Sequence, residues 1–225
     1  MGSERMGSGQ AIAVRDAATV IVVREAGGRN PSLLMGQRGR SAVFMPGKFV
    51  FPGGAVDPAD AEVRLPRPLG APCAKRLGPA AGPITAAALR ELHEETGLAL
   101  ASPGQWQPPA GWEGFAPPGH VPDAGRMRYV FRAITPPGRP RRFDARFLIV
   151  PAEALAGDLD DFSAASDELS HLQWVPLAEA RRLELAFITE VVLAEVAGLL
   201  PTLDAPASVP FFDNSGAESR FSRIA

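Results

Sequence analysis

The chain has little cysteine, no long apolar run and almost no net charge. A single cysteine, Cys73, cannot form an internal disulfide, so the sequence predicts a reducing compartment and a cytoplasmic location. No apolar run approaches the ~20 residues that a membrane-spanning helix needs, so no membrane partner is expected. A formal net charge of −2 over 225 residues lacks the positive field typical of nucleic-acid binding, so nucleic acid is not expected as a partner.

The composition that is present suits one ordinary domain. Hydrophobic residues make up 46% of the chain, which is enough for a core. We predict a disordered N-terminal segment at residues 1–16, a single domain at residues 17–200 and a C-terminal tail at residues 201–225. The apolar run Leu185–Leu200 predicts either a helix docked on the core or a contact in a homodimer.

The order of predicted elements favours an α/β (α+β) fold. A helix is predicted from Pro83 or Thr85 onward, and a second one spans Pro176–Leu200 with a break near 182–184. The patterns of β-branched and apolar residues predict strands at Ala17–Val23, Ser32–Gln37, Met127–Ile134, Phe143–Val150 and Ser170–Val175.

Three carboxylates crowd one face of the first predicted helix. Glu94 and Glu95 follow Glu91 by three and four residues, so all three lie on the same side. Like charges at this spacing repel each other, whereas a hard divalent cation such as Mg²⁺ or Mn²⁺ would be coordinated by the same oxygens. Arg90 can donate a charge-assisted hydrogen bond to Glu94, and Gly97 can end the helix. A solvated acidic face would be the ordinary interpretation of the carboxylates alone.

The wider pattern resembles the Nudix box, in which a glycine loop precedes R-E-U-x-E-E-x-G-U, with U aliphatic. Here Phe51–Gly54 supplies the loop, and Arg90–Leu98 matches the second half at every specified position. The resemblance implies an α/β/α sandwich around a mixed sheet. It also implies hydrolysis of a nucleoside diphosphate linked to another moiety, by attack of water on a phosphorus, with Mg²⁺ or Mn²⁺ as cofactor.

Residue roles follow from the same resemblance. It implies that Glu94 and Glu95 are metal ligands and that Glu91 is a ligand or the general base. Arg90 is implied to orient Glu94, and Gly53 to offer its carbonyl to the metal.

The box of this chain is split. The residue at the usual spacing after Gly54 is Asp60, where glutamate is the rule. Residues 61–89 then separate Asp60 from Arg90, which is 29 residues where the pattern has seven, an insertion of 22. The inserted segment, at about 61–83, is rich in Ala, Pro, Gly and Arg and predicts a surface loop that is dispensable for metal binding.

Family members usually recruit one more acid from a later loop. Glu168 is the candidate here because it precedes His171–Val175, which resembles the strand after that loop. Asp167 and Asp144 remain alternatives.

Basic side chains in two segments are candidates for binding substrate phosphates. Arg38 and Arg40 follow the second predicted strand, and Arg141 and Arg142 lie beside Asp144 in a predicted hairpin. Guanidinium groups match phosphate oxygens, while the ordinary interpretations are a soluble surface and a basic loop paired with an aspartate.

The likeness extends to one branch of the family. Phe44–Gly54 and the split box resemble the branch containing peroxisomal coenzyme A diphosphatases, with Gly47 placed as in G-x-x-x-F-P-G-G. Val43 stands where that signature has an arginine. The predicted substrate is a nucleotide diphosphate, with coenzyme A or an acyl derivative leading. Its diphosphate and 3′-phosphate could be received by Arg38, Arg40 and the Arg139–Arg146 group. Alternatives are an ADP-ribose, dinucleotide or nucleotide-sugar pyrophosphatase, an isoprenoid diphosphate isomerase, and a non-catalytic ligand-sensing module.

Overall fold

The computed structural model describes residues 12–225, which form a nine-stranded mixed sheet, a three-stranded sheet and four α-helices. The helices are α1 (Ala71–Leu77), α2 (Ala81–Thr96), α3 (Leu177–Ala180) and α4 (Phe187–Leu199). The strands are β1 (Val14–Arg24), β2 (Ser32–Arg38), β3 (Phe49–Val50), β4 (Gly53–Ala55), β5 (Ala99–Pro103), β6 (His120–Pro122), β7 (Arg128–Ile134), β8 (Arg142–Pro151), β9 (Leu155–Ala156), β10 (Leu169–Pro176), β11 (Val209–Asp213) and β12 (Arg220–Ile224).

The large sheet has the order β10-β2-β1-β8-β7-β11-β12, with β3 added to β2 and β4 added to β1. β1 runs parallel to β8, and β11 runs parallel to β7, while the other pairs are antiparallel. The central strand β1 contains the continuous apolar run Val20–Val23, which is fully buried. Such a run is typical of a strand that is covered on both faces.

Helices cover the two faces of the sheet. On one face, Leu92 of α2 packs in a core cluster with Val20 of β1. On the other face, Val192 of α4 packs in a second cluster with Ile21. Alternate residues of β1 thus point into different cores, as the two-residue period of a strand requires. This arrangement confirms the predicted α/β/α sandwich. Of the two interpretations of the apolar run, docking on the core is the one observed.

The predicted elements are present with small shifts at their ends. α2 begins at Ala81, and the later helical segment is broken between α3 and α4 as expected. Within residues 12–225, no helix has both the length and the apolar character needed to cross a membrane.

Two predicted boundaries are wrong. β1 begins at Val14, so residues 14–16 belong to the sheet and not to a disordered segment, and residues 1–11 lie outside the described part. The tail at residues 201–225 forms β11 and β12, and β11 pairs with β7. Val209 is fully buried in the first core cluster, so the last strands complete the domain.

The interpretation of the box insertion as a plain loop is also wrong. The segment contains α1, and three of its side chains, Val63, Leu69 and Cys73, are buried in the same cluster as α2. The Cys73 sulfur accepts a hydrogen bond from the Tyr129 amide at 3.3 Å. Arg76 of α1 donates hydrogen bonds to the backbone carbonyls of residues 206 and 207. The insertion is therefore part of the core and links it to the C-terminal strands.

Truncating the insertion's buried side chains is expected to destabilise the protein. Leu69→Ala removes a side chain that is 6% exposed, and such core truncations cost about 2–5 kcal/mol. Lys75→Ala, at an exposed position of α1, is the matched control and is expected to change stability by about 0.5 kcal/mol or less. Denaturant unfolding measures both. Equal midpoints for Leu69→Ala and the wild type would show that the insertion is dispensable to the core.

Candidate active site

The glycine loop and the carboxylate helix meet directly. Gly53 and Gly54 lie in β4, which pairs with Thr19 and Ala18 of β1. The Gly53 amide donates a hydrogen bond to Glu95 Oε2 at 2.7 Å. A Cβ placed on Gly54 would lie 2.3 Å from an oxygen of Glu91, so only glycine allows this approach. The two halves of the split box thus form one site despite the insertion.

The helix ends where the sequence predicts. Gly97 adopts a left-handed conformation with φ of 75°, and its amide donates to the His93 carbonyl at 2.7 Å. This is the usual glycine stop of a helix, and it places Glu91, Glu94 and Glu95 on the last turns of α2.

Arg90 organises the carboxylates through a set of charge-assisted hydrogen bonds. Its Nε and Nη2 donate to both oxygens of Asp60, at 3.0 and 2.9 Å. Its Nη1 donates to Glu91 at 2.8 Å and to Glu94 at 3.1 Å, so the predicted contact with Glu94 is present. Asp60 is only 1% exposed and also accepts a hydrogen bond from the Asp57 amide. The aspartate that replaces the usual glutamate therefore forms a bidentate ion pair with Arg90.

Burial raises the pKa of two of the three glutamates. Glu95 is 1% exposed, and its Oε1 has no hydrogen-bond partner among residues 12–225. Burial raises the pKa of Glu95 to about 8, and the hydrogen bond from the Gly53 amide opposes the shift. Burial also raises the pKa of Glu91, against the attraction of Arg90. Glu94 is about half exposed.

The metal-free protein should lose stability as the pH rises from about 4.5 to 8. A carboxyl whose pKa is about 8 when folded, against an ordinary 4.5, binds more protons folded than unfolded. Its stabilising contribution is complete below pH 4.5 and is lost as the pH passes 8. We expect the melting temperature in chelator to fall by about 5 °C or more over this range.

Glu95→Gln is the matched control for this pH dependence, because glutamine has no proton to lose. Melting curves of both proteins should diverge between pH 5 and pH 8. Identical dependence of the melting temperature on pH in the variant and the wild type would contradict the raised pKa of Glu95.

The donor set suits a hard divalent cation. Carboxylate oxygens from Glu91, Glu94 and Glu95 are the ligands that Mg²⁺ and Mn²⁺ prefer, and Glu95 Oε1 is buried without a partner. In the described part of the chain, no three acidic, histidine or cysteine side chains converge in ligand geometry. Arg90 Nη1 contacts one oxygen of Glu91 and one of Glu94, and the Gly53 amide contacts Glu95 Oε2. The carbonyl role of Gly53 stays a prediction.

Sheet pairing brings Glu168 to this site. β10 pairs with β2 so that Leu169 lies opposite Arg38. Arg38 Nη2 donates to Glu168 Oε1 at 2.9 Å, and Arg38 Nη1 lies 3.9 Å from Glu95 Oε1. The negative charge of Glu168 contributes to the raised pKa of both Glu91 and Glu95. The structure thus groups Arg38 and Glu168 with the helix carboxylates.

Asp144 lies elsewhere. Arg132 donates two hydrogen bonds to its oxygens, at 2.8 and 2.6 Å, and Arg146 lies 3.3 Å away. Asp144 is buried in this cluster, so its charge is compensated by two arginines. The structure does not bring it together with the helix carboxylates.

The remaining predicted phosphate-binding arginines are also outside the carboxylate group. Arg142 donates to the Thr135 carbonyl at 3.0 Å, which ties the two ends of the β7–β8 loop together. Arg40 and Arg141 are exposed and form no ion pair with other residues of the described range 12–225.

A cleft of about 870 Å³ opens beside the glycine loop, on the α4 side of the sheet. Arg38, Gly53 and Gly54 line one part of it. Its walls come from the segment at residues 43–48, the β7–β8 loop and the start of α4. Sequence reasoning missed most of these walls, because they come from segments far apart in the chain.

Comparisons with known proteins agree with this geometry. The chain matches the NUDIX domain family over residues 14–196 and belongs to that family. A curated relative, "Putative nudix hydrolase 7" of Caenorhabditis elegans, is 29% identical over 175 residues. The match covers 72% of this chain and 51% of that protein, so the chain spans about half the length of the relative.

Solved structures give the same result. A NUDIX hydrolase from Alicyclobacillus acidocaldarius is similar with 28% identity and a TM-score of 0.65, covering 85% of this chain and 95% of that one. A MutT protein from Bacillus halodurans, at 14% identity and a TM-score of 0.51 over 93% and 98% of the two chains, shares the fold. Family, fold and the intact carboxylate helix together support a hydrolase.

Proposed function

We propose that this protein is a divalent-metal-dependent hydrolase that cleaves the diphosphate linkage of a nucleoside diphosphate derivative. The observation that carries the proposal is the junction of the two halves of the box. The Gly53 amide contacts Glu95, Gly54 abuts Glu91, and both glycines line a large cleft. On an ordinary acidic surface helix, a carboxylate would be solvated by water. Glu95 is instead buried against the glycine loop, and its Oε1 has no hydrogen-bond partner among residues 12–225.

Glu91, Glu94 and Glu95 would hold the metal, which supplies charge neutralisation of the diphosphate and a more acidic bound water. Arg90 keeps Glu91 and Glu94 in place through the hydrogen bonds described above. Arg90 contacts only one oxygen of each, Oε1 of Glu91 and Oε2 of Glu94, so these hydrogen bonds leave the second oxygen of each carboxylate to a metal ion.

Glu168 is suited to accept the proton of the attacking water. It is half exposed and lies beside the buried carboxylates, where it is restrained by Arg38. Arg38 itself lines the cleft next to the glycine loop, so its guanidinium can contact diphosphate oxygens. Hydrolysis at phosphorus depends mainly on such positioning and charge stabilisation.

Coenzyme A or an acyl derivative is the leading substrate. The segment that resembles the coenzyme A signature, from Phe44 to Gly54, forms part of the cleft wall. Phe44 and Phe143 pack edge to face with ring centroids 5.1 Å apart, and Val43 is 57% exposed. A cleft of this size with apolar walls suits an elongated substrate with little charge between its ends.

Product analysis tests the proposal. Incubation of coenzyme A with Mg²⁺ or Mn²⁺ is expected to release adenosine 3′,5′-bisphosphate and 4′-phosphopantetheine. A higher kcat/KM for ADP-ribose, NADH or a diadenosine polyphosphate would show that coenzyme A is not the preferred substrate. The proposed diphosphate hydrolysis would still stand. No turnover of any diphosphate with either ion would overturn the hydrolase and favour a ligand-sensing module.

A further inference from the structure

Arg38 is an incompletely paired cation beside the helix carboxylates. Its side chain is only 16% exposed, and its Nη2 donates a hydrogen bond to Glu168 Oε1 at 2.9 Å. Its Nε is buried and has no hydrogen-bond partner among residues 12–225. Arg90, by contrast, donates five hydrogen bonds within the same range. Because buried polar groups are ordinarily paired, Arg38 is held less firmly than an arginine with a purely structural role.

The carboxylate next to Arg38 is also incompletely paired. Glu95 is 1% exposed, and its Oε1 has no hydrogen-bond partner in the described part of the chain. Arg38 Nη1 lies 3.9 Å from this oxygen, which allows electrostatic attraction but is too long for a hydrogen bond. The guanidinium thus contacts Glu168 with one nitrogen and faces Glu95 with another. It compensates part of the charge of both acids.

The backbone of Arg38 is fixed, whereas its side chain has room to move. The Arg38 amide donates to the Lys48 carbonyl at 3.0 Å, and the Gly47 amide donates to the Arg38 carbonyl at 3.1 Å. On the other side, β10 pairs with this position through Leu169. The Arg38 side chain lines the cleft of about 870 Å³. Changes of its side-chain torsion angles are therefore enough to turn the guanidinium from the carboxylates into the cleft.

A divalent cation bound by the helix carboxylates would compete with Arg38. The buried oxygen that still needs a partner, Glu95 Oε1, is the same oxygen that faces Arg38 Nη1. Two cations at short distance repel each other, and the repulsion is stronger away from bulk water. The guanidinium therefore opposes metal binding while it stays in place, and metal binding favours its departure.

We propose that Arg38 and the divalent metal ion compete for Glu95 and Glu168, so that metal binding turns the guanidinium into the cleft. The inference rests on the proposed function for the position of the metal, and it adds a coupling between metal, proton acceptor and substrate. The departure of Arg38 frees Glu168 Oε1 for the attacking water. It also presents the guanidinium beside the glycine loop, where a diphosphate oxygen can replace the lost carboxylates.

The affinity for Mn²⁺ tests this competition without any substrate. Electron paramagnetic resonance of free Mn²⁺ gives the Kd of the full chain, and circular dichroism checks the fold. Arg38→Met removes the charge and adds no oxygen ligand, so it should bind Mn²⁺ about 5- to 50-fold more tightly than the wild type. Arg38→Lys keeps the charge and should stay within about threefold of the wild type. Unchanged or weaker binding by Arg38→Met would overturn the inference, because Arg38 would then not compete with the metal.

Arg24→Met is the matched control. The Arg24 side chain is 24% exposed and forms an ion pair of the same length, 2.9 Å, with Asp160. Arg24 lies on β1 five residues beyond Thr19, the partner of Gly53, which is about 17 Å along the strand. Its replacement should leave the Kd for Mn²⁺ within about twofold, since salt screens charges at this distance. An equal gain in affinity for the Arg24 and Arg38 variants would overturn the inference, because net charge alone would explain it.

Nuclear magnetic resonance follows the movement of Arg38 directly. Arg38 Nε is buried, so without added metal its proton should exchange slowly with water. Saturating Mg²⁺ should raise this exchange rate by about tenfold or more and leave that of Arg24 unchanged. The spectrum of Arg38→Lys identifies the signal by its absence. An unchanged exchange rate with Mg²⁺ bound would overturn the movement.

These measurements also separate the inference from the proposed function, because neither uses a substrate. If Arg38→Met binds Mn²⁺ more tightly and Mg²⁺ releases Arg38, but no diphosphate is hydrolysed, the proposed function fails and the competition stands. If diphosphates are hydrolysed while Arg38→Met binds Mn²⁺ no more tightly than the wild type, the inference alone fails.

Discussion

Replacing Glu94 and Glu95 together by glutamine should abolish diphosphate hydrolysis while the domain stays folded. Both carboxylates lie on the last turns of α2, and Glu95 is held at the glycine loop by the Gly53 amide. Glutamine keeps the size of each side chain and an oxygen that can accept this hydrogen bond, so the packing survives. It removes the two negative charges that would hold a divalent cation, and a loss in kcat of about 1,000-fold or more is expected.

Steady-state kinetics across a range of Mg²⁺ and Mn²⁺ concentrations measure this effect, and circular dichroism checks the fold. The control is Glu179→Gln with Glu190→Gln, which changes two exposed glutamates on α3 and α4. That control should retain full activity. Unchanged turnover of the Glu94/Glu95 variant at saturating metal would sink the assignment of both residues as ligands.

The carboxylate helix could be predicted because its information is local. The spacing of Glu91, Glu94 and Glu95 determines their common face in any α-helix, and Gly97 ends it. The contact between Arg90 and Glu94 follows from the same geometry, since residues four apart are neighbours on a helix. The structure shows that contact at 3.1 Å.

Other parts of the site depend on contacts between distant segments. The bidentate ion pair between Asp60 and Arg90 joins residues that the insertion separates in the sequence. No periodicity in the sequence indicates this contact. The insertion was predicted to be a loop because it is rich in Pro and Gly. That composition gives no sign that three of its side chains are buried. Propensity is a weak guide where tertiary burial decides the structure.

The cleft shows the same limit. Its floor needs the register of three strands, in which Ala17, Ala145 and Ala133 become partners although β8 and β7 are far from β1 in sequence. A shift of one residue in either pair would turn these alanines to the opposite face. The tail strands were not predicted because β11 pairs with β7, a strand that lies far from it in the sequence.

Glu168→Gln should lower kcat by about 100-fold or more, with a smaller effect on KM. Glu168 is brought to the site by the pairing of β10 with β2, and its charge is felt by both Glu91 and Glu95. Glutamine can still accept the hydrogen bond from Arg38, so that guanidinium remains in place. What is lost is the basic oxygen that accepts the proton of the attacking water.

Two variants separate this role from those of the other candidate acids. Asp167→Asn changes the exposed neighbour of Glu168 and should leave kcat within about twofold, since surface substitutions of this kind have small effects. Asp144→Asn should lower the melting temperature, because Arg132 and Arg146 lose their buried partner, while kcat of the folded fraction is retained. Kinetics and thermal unfolding of the three variants decide between the acids. A large loss of kcat in Asp144→Asn or Asp167→Asn, with Glu168→Gln active, would show that the remote acid has been assigned to the wrong residue.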